Sequence, residues 1–149
     1  MSAELSIASH LRLASEALDG ATNMRPDNHF AAYLAQQAVE QLVLALVLAE
    51  GIHVPRSQHH QLDWIVRHLP EENSARQTLI QLTWLQAFAT TYRYPRPSGR
   101  LPEAPDPKKL GKAVAITRDL LDELRVYFGV DLSPSATTAA SRKDAPRRA

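Results

Sequence analysis

The chain contains no cysteine. That excludes disulfide staples, thiolate nucleophiles and zinc sites built on cysteine, and it suits a reducing compartment. Glycine is scarce: five residues stand scattered at positions 20, 51, 99, 111 and 129. A loop that cradles phosphates needs several glycines close together, so none can be built here. No stretch reads as a convincing strand, which removes the strand–turn–helix elbow that presents a nucleophilic serine. The six histidines contain no His-x-x-x-His or comparable pair, so neither a metal site nor a cofactor is expected. There is little net charge either, +1 over 149 residues, and no strong field that would advertise nucleic acid or a membrane. The opening stretch MSAELSIASHLRLASEAL places charged residues at helical intervals and does not read as a signal peptide. The most apolar run, Leu42 to Ala49, is far too short to span a bilayer. A soluble cytoplasmic protein with no membrane partner is the expectation.

What is present is helical periodicity. The expected fold class is all-α: an up-and-down antiparallel bundle of four long helices plus one short helix, occupying residues 1–130. The first helix spans about Ala3 to Asn23 with Ser2 as N-cap, and Leu5, Ala8, Leu11, Ala14 and Leu18 form its apolar stripe. The second starts near Asn28 and ends at Gly51, with Phe30, Leu34, Ala38, Leu42, Ala45 and Ala49 as its main stripe. Between Leu42 and Ala49 this helix is apolar all round, so protein surrounds it: it is either the central helix or a subunit contact. Ser57 is the expected cap of a short third helix, Gln58 to Leu69, stopped by Pro70. Ser74 is the expected cap of a fourth, Ala75 to about Tyr92. Asp106 followed by Pro107 opens a fifth, which runs to Phe128 before Gly129. Residues 131–149 are small, polar and basic, and read as a disordered tail.

Three motifs occur in order along this chain. AAYLAQQAVEQLVLALVLAEG holds Gln37, Ala38, Glu40, Ala45 and Leu46; HHQLDWIVRHL holds His60 and Leu62; TTYRYP holds Arg93, Tyr94 and Pro95. In this order and spacing they resemble the HEPN family, small all-helical bacterial and archaeal domains. The resemblance spans about residues 3–128. It implies a nucleotide- or RNA-binding or partner-binding module and a nucleotidyltransferase partner in a toxin–antitoxin-type system; the apolar second face of the second helix is the ground for expecting a homodimer. Two departures stand beside it. Gln41 and Leu44 occupy positions where the family commonly has lysines. Some members are metal-independent ribonucleases using an arginine and a histidine separated by four to six residues, and no arginine here has a histidine at that spacing.

The candidate ligand-binding residues are Gln37, Glu40, His59, His60, Arg93, Tyr94 and Arg96, with His60 and Arg93 as the candidates for catalysis. Gln37 and Glu40 share one edge of the second helix. They serve either as a buried polar pair or, for Glu40, as the carboxylate that orients Arg93 across the bundle. His59 and His60 are expected in the first turn of the third helix, where free N–H groups favour anions. Arg93 is expected in the last turn of the fourth helix, against its carbonyls. Arg96 and Arg100 have no such explanation, so the stretch TYRYPRPSGRLPEAPDP reads mainly as a connection with a minority role in anion contact. The enzymatic alternative is a divergent ribonuclease in which His60 is the acid/base and Arg93 stabilises charge on phosphorus. A further alternative is a purely structural dimeric bundle.

Overall fold

A computed structural model describes Ser2 to Ala149; Met1, the first residue of the expected domain, lies outside the described residues. The protein is all-helical, and among the described residues the only β-type pairing is an isolated bridge between Asn73 and Arg147. Three long helices carry the fold: α1 Ala3–Asn23, α2 His29–Glu50 and α5 Pro107–Phe128. Between them lie two short ones, α3 Leu62–His68 and α4 Arg76–Ile80, with 3-10 turns at Arg56–Gln58 and Thr83–Ala89.

Each long helix starts and stops on side-chain chemistry legible in the chain. Ser2 accepts a hydrogen bond from the Leu5 amide at 3.1 Å, Asn28 from Phe30 at 2.9 Å, and Asp106 from Lys108 at 3.1 Å. Each satisfies an N–H that the helix itself leaves free. At the other end, Gly51 and Gly129 adopt the left-handed conformation, with φ of 71° and 64°. Their N–H groups, and those of Ile52 and Val130, turn back onto the last carbonyls.

The order of contacts along the chain fixes how these helices run. His10 on α1 donates from Nδ1 to Gln41 Oε1 on α2 at 2.6 Å, and Gly20 faces Leu34, so α1 and α2 are antiparallel. Arg118 on α5 reaches Asp19 at 3.2 Å while Arg12 reaches the Asp131 carbonyl just beyond α5, so α5 also runs against α1. The α1–α2 contact is close because both surfaces are small. Buried alanines are frequent on both helices, at 8, 14 and 21 on α1 and at 31, 35 and 38 on α2, and a Cβ on Gly20 would come within 2.9 Å of the Leu34 side chain.

Every residue from Leu42 to Val47 is buried by its own chain. The apolar segment of α2 is therefore the centre of the core as far as Val47, and only its last turn, with Leu48 37% exposed, reaches the surface. By length and composition α2 could cross a membrane, yet 72% of its most apolar window is buried inside the fold. At its start the expected stripe is wrong at one position: Phe30 is 54% exposed, and alanines 31, 32 and 35 face inward instead.

Three further expectations are corrected. The fourth long helix is absent. After α4 the chain passes Leu82 (φ −110°, ψ −4°) and tightens into the 3-10 stretch Thr83–Ala89. The buried leucines at 79, 82 and 85 repeat every three residues, which is the 3-10 period rather than the α period. Ser74 does not cap; Asn73 Oδ1 accepts from the Ala75 amide instead. The third helix begins at Leu62, not Gln58, without a side-chain cap at its start. Finally, the segment after Val130 has no regular structure but is not free. It crosses back over the bundle through Ala140 to Glu4, Ser141 to Phe128, Ser74 to Pro146 and Arg148 to Glu72 backbone hydrogen bonds. Arg147 closes this strap with a two-pronged ion pair to Glu50, whose side chain is nearly buried; its Nη2 lies 2.8 Å from Oε2. Ala140, Ala145 and Pro146 supply the buried surface, which a composition-based reading of a polar tail does not weigh.

Candidate functional site

The face of α2 that turns toward the 3-10 stretch and its following loop carries two adjoining features. The first is a polar cluster on a helix otherwise nearly free of polar groups. Glu40 is buried, and its Oε2 accepts three hydrogen bonds: from Gln36 Nε2 at 2.9 Å, from Gln37 Nε2 at 3.3 Å and from His60 Nδ1 at 3.0 Å. Gln37 also donates to Gln36 Oε1 at 2.7 Å. An ionised carboxylate only accepts, so the His60 ring carries its proton on Nδ1 toward Glu40 and turns Nε2 outward. The His60 side chain is 53% exposed, which leaves that outer nitrogen available to solvent or ligand. A buried carboxylate that fixes the tautomer and aim of an accessible imidazole is the arrangement that acid/base chemistry and phosphate recognition both use.

The second feature is a cavity of about 240 Å³ lined by Phe30, Tyr33, Ala89, Thr90, Tyr92 and Arg93. Phe30, Tyr33, Gln37 and Glu40 recur at three- and four-residue steps, so cavity and cluster lie along one face of α2. The walls are held from both sides. Tyr92 stacks on Phe88 with ring centroids 5.6 Å apart and meets the His29 ring edge-on at 5.0 Å. Its hydroxyl donates to the Glu103 carbonyl at 2.8 Å, and His29 Nε2 donates to the Pro102 carbonyl at 2.9 Å. Burial pushes the Tyr92 phenol above its ordinary range, which keeps it protonated as that donor.

Above the cavity the loop folds into a tight turn. The Gly99 amide donates to the Arg96 carbonyl and the Arg96 amide to the Arg100 carbonyl, both at 2.8 Å. Pro97 sits second in that turn and Gly99, at φ 83°, takes the left-handed position. The turn brings the backbones of Arg96 and Arg100 together, two residues beyond the 78%-exposed Tyr94. Among the described residues, none of the guanidinium groups of Arg93, Arg96 and Arg100 has an ion pair or a side-chain hydrogen bond.

The sequence-predicted residues are thus partly brought together. Gln37, Glu40 and His60 meet in one cluster; Arg93, Tyr94 and Arg96 meet in one loop. His59 joins neither, since its Nε2 donates to the Val54 carbonyl at 3.2 Å. Both histidines lie ahead of α3 rather than in its first turn, so the helix dipole does not act on them as expected. Glu40 does not orient Arg93: its partner is His60. Nor does Arg93 close off a helix end, because the 3-10 stretch stops at Ala89 and the Arg93 side chain is exposed. Gln36, fully buried, was missed, as were Phe30, Tyr33 and Tyr92 as cavity walls. For Gln36 a signal existed: a glutamine four residues before a glutamate on an apolar helix must find a partner.

Comparison with known proteins gives one positive result. The model of the HEPN domain matches residues 7–127, from within α1 almost to the end of α5. No curated protein matches the chain, and no solved structure matches it. The matched span contains the polar cluster, the aromatic cavity and the arginine loop alike. The chain belongs to the HEPN domain family.

Proposed function

We propose that this protein is a nucleotide- or RNA-binding HEPN module whose ligand lies along the α2 face, between the arginine loop and His60. At family level the HEPN domain supports a nucleotide- or RNA-related role. The observation that carries the reading is Arg93, without an ion pair among the described residues, at a cavity walled by Phe30, Tyr33 and Tyr92, with two more such arginines, Arg96 and Arg100, in the loop that follows it. Unpaired guanidinium groups suit phosphate, and the exposed Phe30 ring suits an unstacked base. The test is fluorescence anisotropy with a labelled single-stranded RNA across a range of salt. Saturable binding that weakens as salt rises, and weakens further in Arg93→Ala, is the expected result. Absence of saturable binding at low salt overturns the reading.

The partner follows the family resemblance, a nucleotidyltransferase in a toxin–antitoxin-type pair, and the chain itself is proposed as a homodimer. Since Leu42 to Val47 are covered by their own chain, a homodimer forms through some other surface. Sedimentation as a compact monomer at micromolar concentration would remove that part of the proposal.

The Glu40–His60 pair favours a second reading, a metal-independent ribonuclease in which His60 Nε2 exchanges the proton. Tyr33, at the cavity, precedes Glu40 by seven residues, about 10 Å along the helix axis at 1.5 Å per residue. His60 and Arg93 would then act on different parts of one ligand. RNA cleavage in the presence of chelator, lost in His60→Ala, establishes this reading; cleavage no greater than that variant's background removes it.

A further inference from the structure

Beyond the cavity, the same side of the molecule continues into a groove that the reading above does not use. It has a volume of about 230 Å³ and is lined by Gln81, Trp84, Lys109, Lys112, Ala113 and Ile116, between the 3-10 stretch and the start of α5. Lys109 and Lys112 are three residues apart and share one face of α5. The Lys109 ammonium lies 4.2 Å from the centroid of Trp84, a cation–π contact that holds it at the groove. Among the described residues neither lysine has an ion pair.

An unbroken row of rings joins this groove to the first cavity. Trp84 meets Phe88 at 6.0 Å and Phe88 meets Tyr92 at 5.6 Å, so Phe88, which lines neither site, links a ring of one to a ring of the other. Charge follows the same route. From Trp84 to Lys112 the chain holds six of its seventeen basic residues (Arg93, Arg96, Arg100, Lys108, Lys109 and Lys112) and two of its sixteen acidic ones. A chain of net charge +1 therefore concentrates its cations in one segment. Cations interleaved with aromatic side chains are what a single strand needs: the cations follow its phosphates and the rings take its bases.

We propose that the Trp84–Lys109–Lys112 groove is a second subsite, and that the ligand is a single-stranded polynucleotide running from the arginine loop to the start of α5 rather than a mononucleotide. This inference rests on the ligand face proposed above. A single strand fits better than a duplex because each site pairs basic with aromatic side chains, Phe30 and Tyr33 at one and Trp84 at the other, and only unpaired bases can pack on such rings.

The test uses the full chain and Trp84 as a reporter. Trp64→Phe removes the other tryptophan, whose ring stacks on His68 and on none of the rings of this row. Uridine oligomers of increasing length are titrated beside uridine monophosphate, following Trp84 emission and the anisotropy of labelled oligomers. Longer oligomers are expected to change Trp84 emission, and the monophosphate is not. In the Lys109→Ala/Lys112→Ala double variant, affinity for long oligomers falls about tenfold. The salt slope loses about 1.4, the contribution of two phosphate contacts on a single strand. Monophosphate binding stays unchanged. Alanine favours the helix at both positions, and circular dichroism confirms that the fold is kept. If long oligomers bind and Arg93→Ala weakens them while the lysine variant does not, the second subsite is wrong and the first reading stands. Equal affinity for a duplex of the same length overturns the single-strand assignment. If nothing binds at any length, the underlying reading itself fails.

Discussion

Two stretches of this protein lack regular secondary structure, and both are rich in proline and arginine: residues 90–106 and residues 131–149. They differ in what their arginines do. In the C-terminal strap, Arg147 is gripped by Glu50, and Arg142 lies 4.6 Å over the Tyr127 ring. Tyr127 in turn donates to Asp144 at 3.0 Å, so Arg142, Asp144 and Arg147 hold the strap down, while Lys143 and Arg148 make no ion pair among the described residues. In the 90–106 loop the fastening is done by neutral groups, the Tyr92 hydroxyl and the His29 ring, while three guanidinium groups are left without partners. Composition makes these two segments look alike. The state of pairing separates a strap from a binding loop.

The strongest way to break that comparison is to remove the loop's charge. Arg93→Ala/Arg96→Ala/Arg100→Ala is expected to lower single-stranded RNA affinity about 100-fold and to reduce the salt slope by about 2, as three lost phosphate contacts require. Its melting temperature should stay close to that of the parent, since none of the three side chains is paired. A comparable loss of stability would show that the arginines fasten the loop after all.

Next in size is the hinge of the strap. At Gly129 a side chain would meet the Ser141 side chain, at a backbone φ of 64° that L residues avoid. Gly129→Ala is therefore expected to cost about 2 kcal/mol in denaturant unfolding and to expose the strap to protease, without altering RNA affinity.

The latch itself is weaker. Arg147→Ala leaves Glu50 with the Asn73 amide at 2.8 Å and is expected to lower stability less than Gly129→Ala, because the arginine is half exposed. Its pH dependence has a definite sign. The Arg147 hydrogen bonds hold the Glu50 carboxyl below the ordinary glutamate value of 4.5. That contribution is whole above this value and is lost as pH falls through the lowered folded pKa. Proteolysis or amide exchange of residues 131–149 should therefore rise on acidification below about pH 4.5 in the parent, and rise less in Arg147→Ala, where the Asn73 bond to Glu50 and the lowered Asp131 and Asp144 carboxyls remain.

The smallest effect is expected at Gly99. It also has a positive φ, but a side chain there meets open space. Gly99→Ala should loosen the turn by about 1 kcal/mol locally and weaken RNA binding only a few-fold, by spreading Arg96 and Arg100 apart. A loss as large as that of the triple arginine variant would mean that the shape of the turn matters more than its charge.

How far the sequence could be read follows from where the information lies. Ser2, Asn28, Asp106, Gly51 and Gly129 mark helix ends by local chemistry, so α1, α2 and α5 were legible to within a residue or so. The stretch from Leu79 to Phe88 was read as an α-helix because its apolar step of three was taken for half of a three-and-four pattern. The strap was not legible, because its partners Glu4, Glu50 and Glu72 lie far away in the chain and no local pattern records them. In the candidate site, Glu40 and His60 were picked out singly, but that they meet is a tertiary fact. The cavity walls Phe30 and Tyr33 passed as ordinary helix residues, and nothing local in the chain marked Phe30 as facing outward.

One consequence of the strap is mechanical. The Ala140 amide bonds to the Glu4 carbonyl, and the last residues bond near Glu50 and Glu72, so the C-terminal end is tied to the first turn of α1 and to the end of α2. Stretched by its two ends, the molecule carries load on these few ties one after another, in the manner of a peeled seam. The α1–α2 hairpin, whose contacts are local and continuous, is loaded only once the seam has opened. A first small yield at low force, followed by a larger one, is the extension trace such a seam produces.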